Sequence, residues 1–522
     1  MPGHLVFMVL ALALLAMNAH AAGPAETTAA AIWAEYQKSP NTHPNVPNVS
    51  FAGYGFGETP VPTPKIVANV RDSGAKGDGQ TDDTPAFKAA VEKAKKAGGG
   101  AILVPIGEYK LSDVIVLDAD NLVLRGEGDK SILAFTRPVS QVAHGVEGSW
   151  FGGLVWIGRD GAQPDDDPAG IENGVPIVKP AKQGDLVVEV SPQEAKKLAP
   201  LIGKTLPMVW TGSTSGRDLA KTIAGHPSME AFNWNSWSAY HHGAFVWTWA
   251  NQIMHIEGTQ VTLKKPLRLD VDPAWKVELG TDPNYFISNC GIEKVFIKFP
   301  LTKKAPHLRE PGWNGPFLKR AAQCWVRDVT VENADNGMNF TEAVNCTAHG
   351  LRVIGRDNHH GTMMRSMSHD NLIEAFKIES KPHHGINTEG TSSGNVWRDG
   401  VMNGTFDSHC MMSFDSVRTN ITVTNIGGPG GASDAGPFVG RRMVHWNIRV
   451  TNGKGEWIAQ PAILPSGAIV GIQGTPVFLK DTGLWHLPNG LNKGCLIADM
   501  GQTPSPPDLY EAQLKLRLGT RK

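Results

Sequence analysis

Five histidines recur at nearly constant spacing in the central part of the chain. His360, His384 and His409 follow one another at intervals of 24 and 25 residues, and His359 and His383 each precede one of them. Imidazole titrates near neutral pH, so it can accept or donate a proton during catalysis. The spacing predicts that the first three side chains stand one above another, and that the other two form a second column on the same face.

The same stretch carries the charged groups that a polysaccharide lyase needs. β-Elimination from a uronic acid removes the weakly acidic C5 proton and expels the 4-O group, which requires a base, an acid and a cation beside the carboxylate. Histidine suits the base or the acid, and Arg365, Lys377 or Lys381 would hold the carboxylate. The predicted catalytic residues are His360, Lys381, His383, His384, Asp407, His409 and Arg365.

Two other interpretations of this face stay open. A glycoside hydrolase uses two carboxyl groups roughly 5–10 Å apart, and Asp407 could pair with Glu389 or Asp357 if neighbouring strands lie about 4.8 Å apart. Alternatively, the histidines form a packing ladder, and the protein is a glycan-binding module without catalytic activity. In that case substitution of the histidines would leave affinity nearly unchanged.

Metal binding is a further interpretation. Both histidine pairs, together with Asp407, offer ligands that suit zinc or another transition metal. Adjacent residues of a strand point to opposite faces, however, so we expect at most one histidine of each pair to face the groove. The sequence therefore assigns no metal ligand and no cofactor, with Ca²⁺ held by Asp-rich turns as the alternative.

The elements that position these residues repeat with the same period. Segments 336–340, 360–364, 384–388 and 409–413 are strand-like, and a second short apolar segment follows each of them. A period in the low twenties that is built from strands is typical of a β-solenoid. The predicted fold class is all-β: a right-handed parallel β-helix with an N-terminal capping helix at residues 86–97 and an inserted Trp-rich subdomain.

Two side-chain ladders are expected inside the coils. The first is a column of small apolar thiols at Cys290, Cys324 and Cys346. The second is a column of stacked amides at Asn289, Asn345, Asn371 and Asn395. Both columns have structural roles in this interpretation.

The chain divides into six predicted segments. They are a signal peptide (1–22), an N-terminal arm (23–64), the cap and first coils (65–139), an aromatic insertion (140–288), central coils with the site (289–453) and C-terminal coils with a tail (454–522). Aromatic rings hold sugars by stacking, so the insertion is expected to bind substrate. The predicted substrate-binding residues are Trp234, Trp237, Tyr240, His241, His242, Arg398 and Arg441.

Two segments near the N-terminus resemble a known family. Residues 70–91 read Val-Arg-Asp-Ser-Gly-Ala-Lys-Gly-Asp-Gly-Gln-Thr-Asp-Asp-Thr-Pro-Ala-Phe-Lys-Ala-Ala-Val, and residues 98–109 read Gly-Gly-Gly-Ala-Ile-Leu-Val-Pro-Ile-Gly-Glu-Tyr. This pattern resembles the N-terminal motif of pectate-lyase-type and polygalacturonase-related parallel β-helix proteins, and the tail at 507–518 is also similar to tails in that superfamily. The resemblance implies the fold and a secreted, carbohydrate-active role. It does not fix the reaction, because the superfamily includes lyases, hydrolases, epimerases and phage-type binding proteins.

Composition and the N-terminal residues indicate the location of the protein and the class of its partner. The 522-residue chain has a net charge of −1 and five cysteines, so nothing global favours nucleic acid or a membrane surface as a partner. Residues 5–17 are apolar and Ala-His-Ala follows at 19–21, which predicts a cleaved signal peptide and a secreted or periplasmic protein. The expected partner is a polysaccharide, and the expected state is a monomer.

Overall fold

The computed structural model describes residues 27–143, 148–159, 171–213, 218–225, 245–409, 412–430, 438–478 and 494–519. Most strands in these ranges are short and pair in parallel with strands of the next coil. The predicted parallel β-helix is therefore confirmed. The predicted signal peptide lies outside the described residues, and no described helix is long and apolar enough to cross a membrane.

The first half of the strands leads from the N-terminal coils through the insertion. They are β1 (Ile66–Asn69), β2 (Asp78–Asp82), β3 (Gly100–Val104), β4 (Gly107–Leu111), β5 (Ile115–Leu117), β6 (Leu122–Gly126), β7 (Ser131–Phe135), β8 (Val155–Ile157), β9 (Val175–Pro176), β10 (Val187–Glu189), β11 (Thr205–Thr211), β12 (Val246–Glu257), β13 (Gln260–Leu263), β14 (Lys276–Leu279), β15 (Ile287–Ser288), β16 (Gly291–Glu293) and β17 (Phe296–Lys298).

The second half forms the central and C-terminal coils. These strands are β18 (Pro316–Lys319), β19 (Ala321–Ala322), β20 (Trp325–Arg327), β21 (Thr330–Glu332), β22 (Asn336–Thr341), β23 (Thr347–His349), β24 (Arg352–Ile354), β25 (Asn358–Arg365), β26 (Leu372–Glu374), β27 (Lys377–Ile378), β28 (Pro382–Thr388), β29 (Val396–Gly404), β30 (Phe406–Asp407), β31 (Val417–Asn425), β32 (Val444–Val450), β33 (Ala468–Val470) and β34 (Leu496–Ala498).

Helices are few and lie outside the coils. The α-helices are α1 (Ala29–Lys38), α2 (Thr84–Lys96), α3 (Val139–Val142), α4 (Pro192–Leu198), α5 (Asp218–Ala224) and α6 (Leu509–Gly519). Short 3₁₀ turns occur at Tyr54–Gly57, Ala199–Leu201 and Pro461–Ile463. The predicted capping helix is α2, which packs its apolar side against β1, β3, β5 and β6 at the end of the solenoid.

Three parallel sheets make up the walls of the solenoid. One runs β1, β3, β6, β16, β20, β23, β26, β29, β31, β32, β33 and β34, and a second runs β2, β4, β7, β17, β21, β24 and β27. The strands β29, β31 and β32 turn the corner between them, with Asp399, Asn420 and Asn447 at φ values of 51°, 54° and 54°. The third sheet, β5, β8, β18, β22, β25, β28 and β30, carries the histidines.

Side-chain ladders line the corner before the first sheet. The predicted column of cysteines is buried, and Cys290, Cys324 and Cys346 are free thiols. The predicted four-asparagine column is wrong by one position. Asn371 and Asn395 stand in the cysteine column, where Cys346 N–H donates to Asn371 Oδ1 at 2.9 Å and Asn371 Nδ2 donates to Asn395 Oδ1 at 3.1 Å. Asn289 and Asn345 instead occupy the preceding corner position, with φ of 57° and 52°.

The Trp-rich insertion has its own antiparallel sheet, in the order β10, β13, β12, β11, β14 and β9. Trp210, Trp247 and Trp249 are fully buried in its separate core, so these tryptophans have a structural role. The insertion is also shorter than the predicted 140–288, because β8 belongs to the third parallel sheet.

A buried ionic network fastens this insertion to the coils. Lys265 Nζ lies 2.6 Å from Asp370 Oδ2, and Arg268 Nη2 lies 2.6 Å from Asp370 Oδ1. The indole N–H of Trp249 donates to the same carboxylate at 3.0 Å. Both cations belong to the insertion, and Asp370 occupies a corner of the β-helix, so the carboxylate joins the two parts.

Candidate functional site

The paired histidines share one side of the third sheet because a bulge breaks the strand alternation. The backbone N–H groups of His359 and His360 both donate to the carbonyl of Asp335, at 2.8 and 3.3 Å. His359 and His360 thus both lie opposite Asp335, and two residues opposite one is the geometry of a β-bulge. The rings stack with centroids 4.4 Å apart and planes 10° apart. The expectation that neighbouring histidines face opposite sides is therefore wrong here.

A second irregularity shifts the next coil. His360 pairs with Gly385, and not with His384, in the β25–β28 register. Farther along, the third sheet ends in Phe406–Asp407, so His409 follows a strand instead of opening one. The predicted single column is consequently wrong in register. The rings nevertheless gather, with centroids of His384 lying 5.1 Å from His360 and 6.2 Å from His409.

We predict that Gly385→Ala disturbs this arrangement. Gly385 has φ of +87°, and a Cβ there would lie 2.1 Å from the carbonyl oxygen of Thr405. Left-handed backbone costs an L-residue roughly 1–2 kcal/mol, and the contact with backbone adds to this cost. The variant should unfold at lower urea concentration than the wild type, as followed by tryptophan fluorescence. Gly128→Ala, at φ +109° with open space around its Cβ, is the matched control for strain without a clash.

Residues of two loops complete the cluster, and sequence reasoning missed their role. His307, in the loop between β17 and β18, places its ring centroid 4.7 Å from those of His359 and His383. Glu310 Oε1 lies 3.2 Å from His359 Nδ1. Trp150 packs on the other side, 4.7 Å from His409 between ring centroids. No periodic signal marks the loop residues, because they stand outside the repeat.

The histidines of the cluster range from exposed to buried side chains. His307 and His383 are exposed, whereas His359, His360 and His384 are buried. Because of this burial the pKa of His384 falls to about 2 and that of His360 falls well below its usual value. The pKa of His307 is lowered to about 4, chiefly by partial burial of its ring, with contributions from the neighbouring His359 and His383. These imidazoles are therefore neutral at neutral pH, and each has one nitrogen lone pair available.

Neighbouring acceptors fix which nitrogen carries that lone pair. His384 Nδ1 lies 2.7 Å from the carbonyl oxygen of Gly428, so this nitrogen is the N–H donor. His360 Nδ1 lies 3.2 Å from Asn336 Oδ1 and donates in the same way. The Nε2 atom of each ring then carries the lone pair. Both rings are oriented as metal-ligating histidines are, through a hydrogen bond from the other nitrogen.

Asp407 lies at the buried side of the histidine cluster. Its Oδ1 accepts from Gly430 N–H at 2.8 Å, and its Oδ2 lies 3.6 Å from His360 Nε2. Burial raises the pKa of this carboxyl well above its usual value, and the nearby Glu389 adds to the effect. The charge of the buried Arg418 guanidinium opposes this rise in the pKa of Asp407.

Three further predicted site residues, Arg365, Lys381 and Arg398, lie at different places relative to the cluster. Arg365 lies beside the cluster, but Glu389 holds its Nε at 2.6 Å and the Phe151 ring lies 4.3 Å from its guanidinium carbon. Lys381 is exposed and directly precedes β28. Arg398 lies on the first sheet, where it pairs with Glu374 and Asp508.

The two predicted substrate-binding residues that the structure describes, Arg398 and Arg441, lie away from the cluster. Arg441 Nη2 donates to the Arg268 carbonyl at 3.0 Å, at the junction with the insertion. The structure therefore does not bring Arg398 and Arg441 to the histidines. The remaining candidates lie outside the described residues: Trp234, Trp237, Tyr240, His241 and His242.

Residues 67–151 match the family model described as rhamnogalacturonase A/epimerase, pectate lyase-like. Alginate lyase 7 of Azotobacter vinelandii is 61% identical over 44 residues, which are 8% of this chain and 5% of that protein. Mannuronan C5-epimerase AlgE4 of the same organism is 41% identical over 66 residues, 12% of each protein. The chain thus spans a small part of these relatives.

Similar solved structures include the tailspike protein gp49 from Pseudomonas phage LKA1, with a TM-score of 0.42 and 11% identity over 84% of this chain and 79% of that one. The A-module of Azotobacter vinelandii epimerase AlgE6 has a TM-score of 0.34 and 12% identity, over 84% and 99% of the two chains. The resemblance of the N-terminal motif to pectate-lyase-type parallel β-helix proteins is confirmed by the family match, and it rests on residues 67–151.

Proposed function

We propose that the protein is a polysaccharide lyase that cleaves a uronate-containing polymer by β-elimination. The observation that carries the proposal is the cluster of six imidazoles at the third sheet, four on its strands and two in adjoining loops, which runs from exposed His307 and His383 to the buried rings behind them. The short matches to an alginate lyase and to mannuronan C5-epimerases support the choice of a uronate polymer. Both of those relatives are named for polymers of uronic acids.

His383 is the proposed base. It is the exposed ring of its pair and stands at the mouth of the cluster, where an extended polymer can reach it. Its ring removes the C5 proton, the electron pair forms the C4–C5 double bond, and the 4-O group leaves. The departing oxygen takes a proton from the imidazolium that has formed or from a neighbouring ammonium group.

Two lysines, Lys304 and Lys381, supply the charge that elimination requires in this proposal. Lys304 is close enough to His307 and His383 for its charge to lower the pKa of both rings. Lys381 stands two residues before His383 and is exposed. An ammonium group beside the substrate carboxylate stabilises the negative charge that develops when the C5 proton leaves. In this proposal these lysines replace Arg365 in holding the carboxylate, since its guanidinium already pairs with Glu389.

A glycoside hydrolase is the second candidate. Asp407 has a raised pKa, and Glu389 has a lowered one, in which the effect of burial is overcome by Arg365 and His409. One protonated and one ionised carboxyl group is the combination that hydrolysis uses. Both groups are buried, however, and Glu389 is already held by Arg365 and Asn387. The exposed imidazoles therefore favour the lyase.

The test is a panel of polymers that includes alginate, pectin, glucuronan, rhamnogalacturonan and a neutral glucan. Ultraviolet absorbance that rises together with new reducing ends is the expected result, because elimination leaves an unsaturated uronate. Reducing ends without absorbance would replace the lyase with the hydrolase. Inversion at C5 seen by proton NMR, without cleavage, would identify an epimerase instead. Binding without any of these changes would leave a glycan-binding module.

A further inference from the structure

Several buried polar atoms of the cluster have no hydrogen-bond partner among the described residues. They include Nε2 of His359, Nε2 of His360, Nδ1 of His409 and Oδ2 of Asp407. Burying a polar group without a partner costs on the order of 1–3 kcal/mol, and unpartnered groups of this kind are rare in native proteins. Four such atoms within one cluster indicate that another species completes the site.

The geometry fits a cation. One ring nitrogen from each of His359, His360 and His384 lies within 4.8 Å of the other two. The lone pairs of His360 and His384 are both on Nε2, because Asn336 and Gly428 accept from the opposite nitrogens. Metal–nitrogen bonds of about 2.0–2.1 Å allow such a set to close on one ion with small movements of the rings.

We propose that His359, His360 and His384 bind a divalent transition-metal ion of the zinc type. Three imidazoles select such an ion over Ca²⁺, which prefers oxygen ligands. Three protein ligands leave a fourth coordination position on such an ion. The carboxylate of Asp407, 3.6 Å from His360 Nε2, adds negative charge beside the ion.

A second set of ligands shares His384 and is the competing assignment. His307 and His383 offer nitrogens within 4.8 Å of a nitrogen of His384. His384 has only one free nitrogen, so that atom serves one set at a time. Either set breaks the 3.0 Å hydrogen bond between His307 Nε2 and His384 Nε2. The Nε2 atoms of His359 and His360 have no hydrogen-bond partner among the described residues, which favours the buried set.

The role of the ion rests on the proposed lyase function, whereas its binding does not. A cation behind His383 would neutralise the carboxylate of the uronate, the requirement that elimination imposes. Metal binding is measured without any polymer. Failure of the lyase assay therefore leaves the metal site intact, and failure of metal binding leaves a lyase that depends on its lysines.

The experiment uses the untagged full chain after treatment with a chelator. Co²⁺ is titrated while the visible absorbance of the ion is recorded, and bound Zn²⁺ is counted by elemental analysis after desalting. We expect one ion per chain, with no comparable retention of Ca²⁺. His360→Gln should weaken binding at least 100-fold. The matched control is His369→Gln, since His369 is equally buried but has both nitrogens paired, with Ser393 and Thr248. This variant should keep the ion.

A less disruptive variant, Asn336→Ala, tests the site if His360→Gln does not fold. Asn336→Ala removes the acceptor that orients His360, and such outer contacts are worth about 10–100-fold in metal affinity. We expect a loss in that range. Absence of Co²⁺ or Zn²⁺ binding in the wild type would overturn the proposal. Loss of the ion in His307→Ala or His383→Ala with retention in His360→Gln would overturn it in favour of the exposed set.

Discussion

Replacing His383 with alanine should lower kcat on the cleaved polymer by about 10²–10⁴-fold, the usual contribution of a general base. His383 is exposed, so its removal should change the stability of the fold little. KM should change much less than kcat, because the ring acts on the C5 proton and does not hold the polymer. The measurement is the initial rate of ultraviolet absorbance over a range of polymer concentrations.

The matched control for this variant is His349→Ala. His349 is about half exposed, lies on the first sheet and pairs there with Glu374 at 3.2 Å. It should retain the wild-type rate. A His383→Ala enzyme with an unchanged kcat and a raised KM would contradict the role of base and would place His383 among the binding residues. An unchanged kcat and KM would transfer the role to His307, the other exposed ring of the cluster.

The coil period could be predicted from the sequence because the pattern repeats many times along the chain. The 24-residue spacing correctly placed Asn336 opposite His360, and these two residues are paired in the β22–β25 register. The same reasoning failed one coil later, where His360 faces Gly385. A bulge changes the register by a single residue, and a pair of identical neighbours such as His383 and His384 gives no pattern that reveals which one is displaced.

Other parts of the site could not be predicted because they depend on contacts between distant segments. His307 and Glu310 lie in a loop whose length is unrelated to the repeat. That loop is held against the sheet by Asp335, whose Oδ2 accepts from Gly312 N–H at 3.0 Å and from Trp313 N–H at 2.8 Å. Asp335 also supplies the carbonyl that creates the first bulge. One residue thus positions the strand through its carbonyl and the loop through its carboxylate, and no local sequence pattern predicts this relation.

Replacing Asp370 with asparagine is expected to have the largest effect on stability. The change leaves Lys265 buried without the carboxylate that neutralises it, and it leaves Arg268 with its longer, 3.4 Å contact to Asp415. Removing one partner of a buried ion pair costs about 3–5 kcal/mol. Urea unfolding followed by tryptophan fluorescence measures this loss. Asp113→Asn is the control, because Asp113 pairs with Lys88 at the surface, where such pairs are worth about 0–1 kcal/mol.

The pH dependence of the Asp370→Asn effect separates a charge interaction from packing. Burial by itself would raise the pKa of Asp370, but Lys265 and Arg268 overcome this effect and lower it to about 2. An unfolded aspartate has a pKa of about 3.9. The stabilisation is therefore complete above about pH 5 and is lost progressively as the pH falls from about 5 to about 1. The difference in unfolding free energy between the wild type and Asp370→Asn should shrink by about 2–3 kcal/mol over this interval. A difference that stays constant with pH would show that asparagine disturbs the packing at this corner and that charge contributes little.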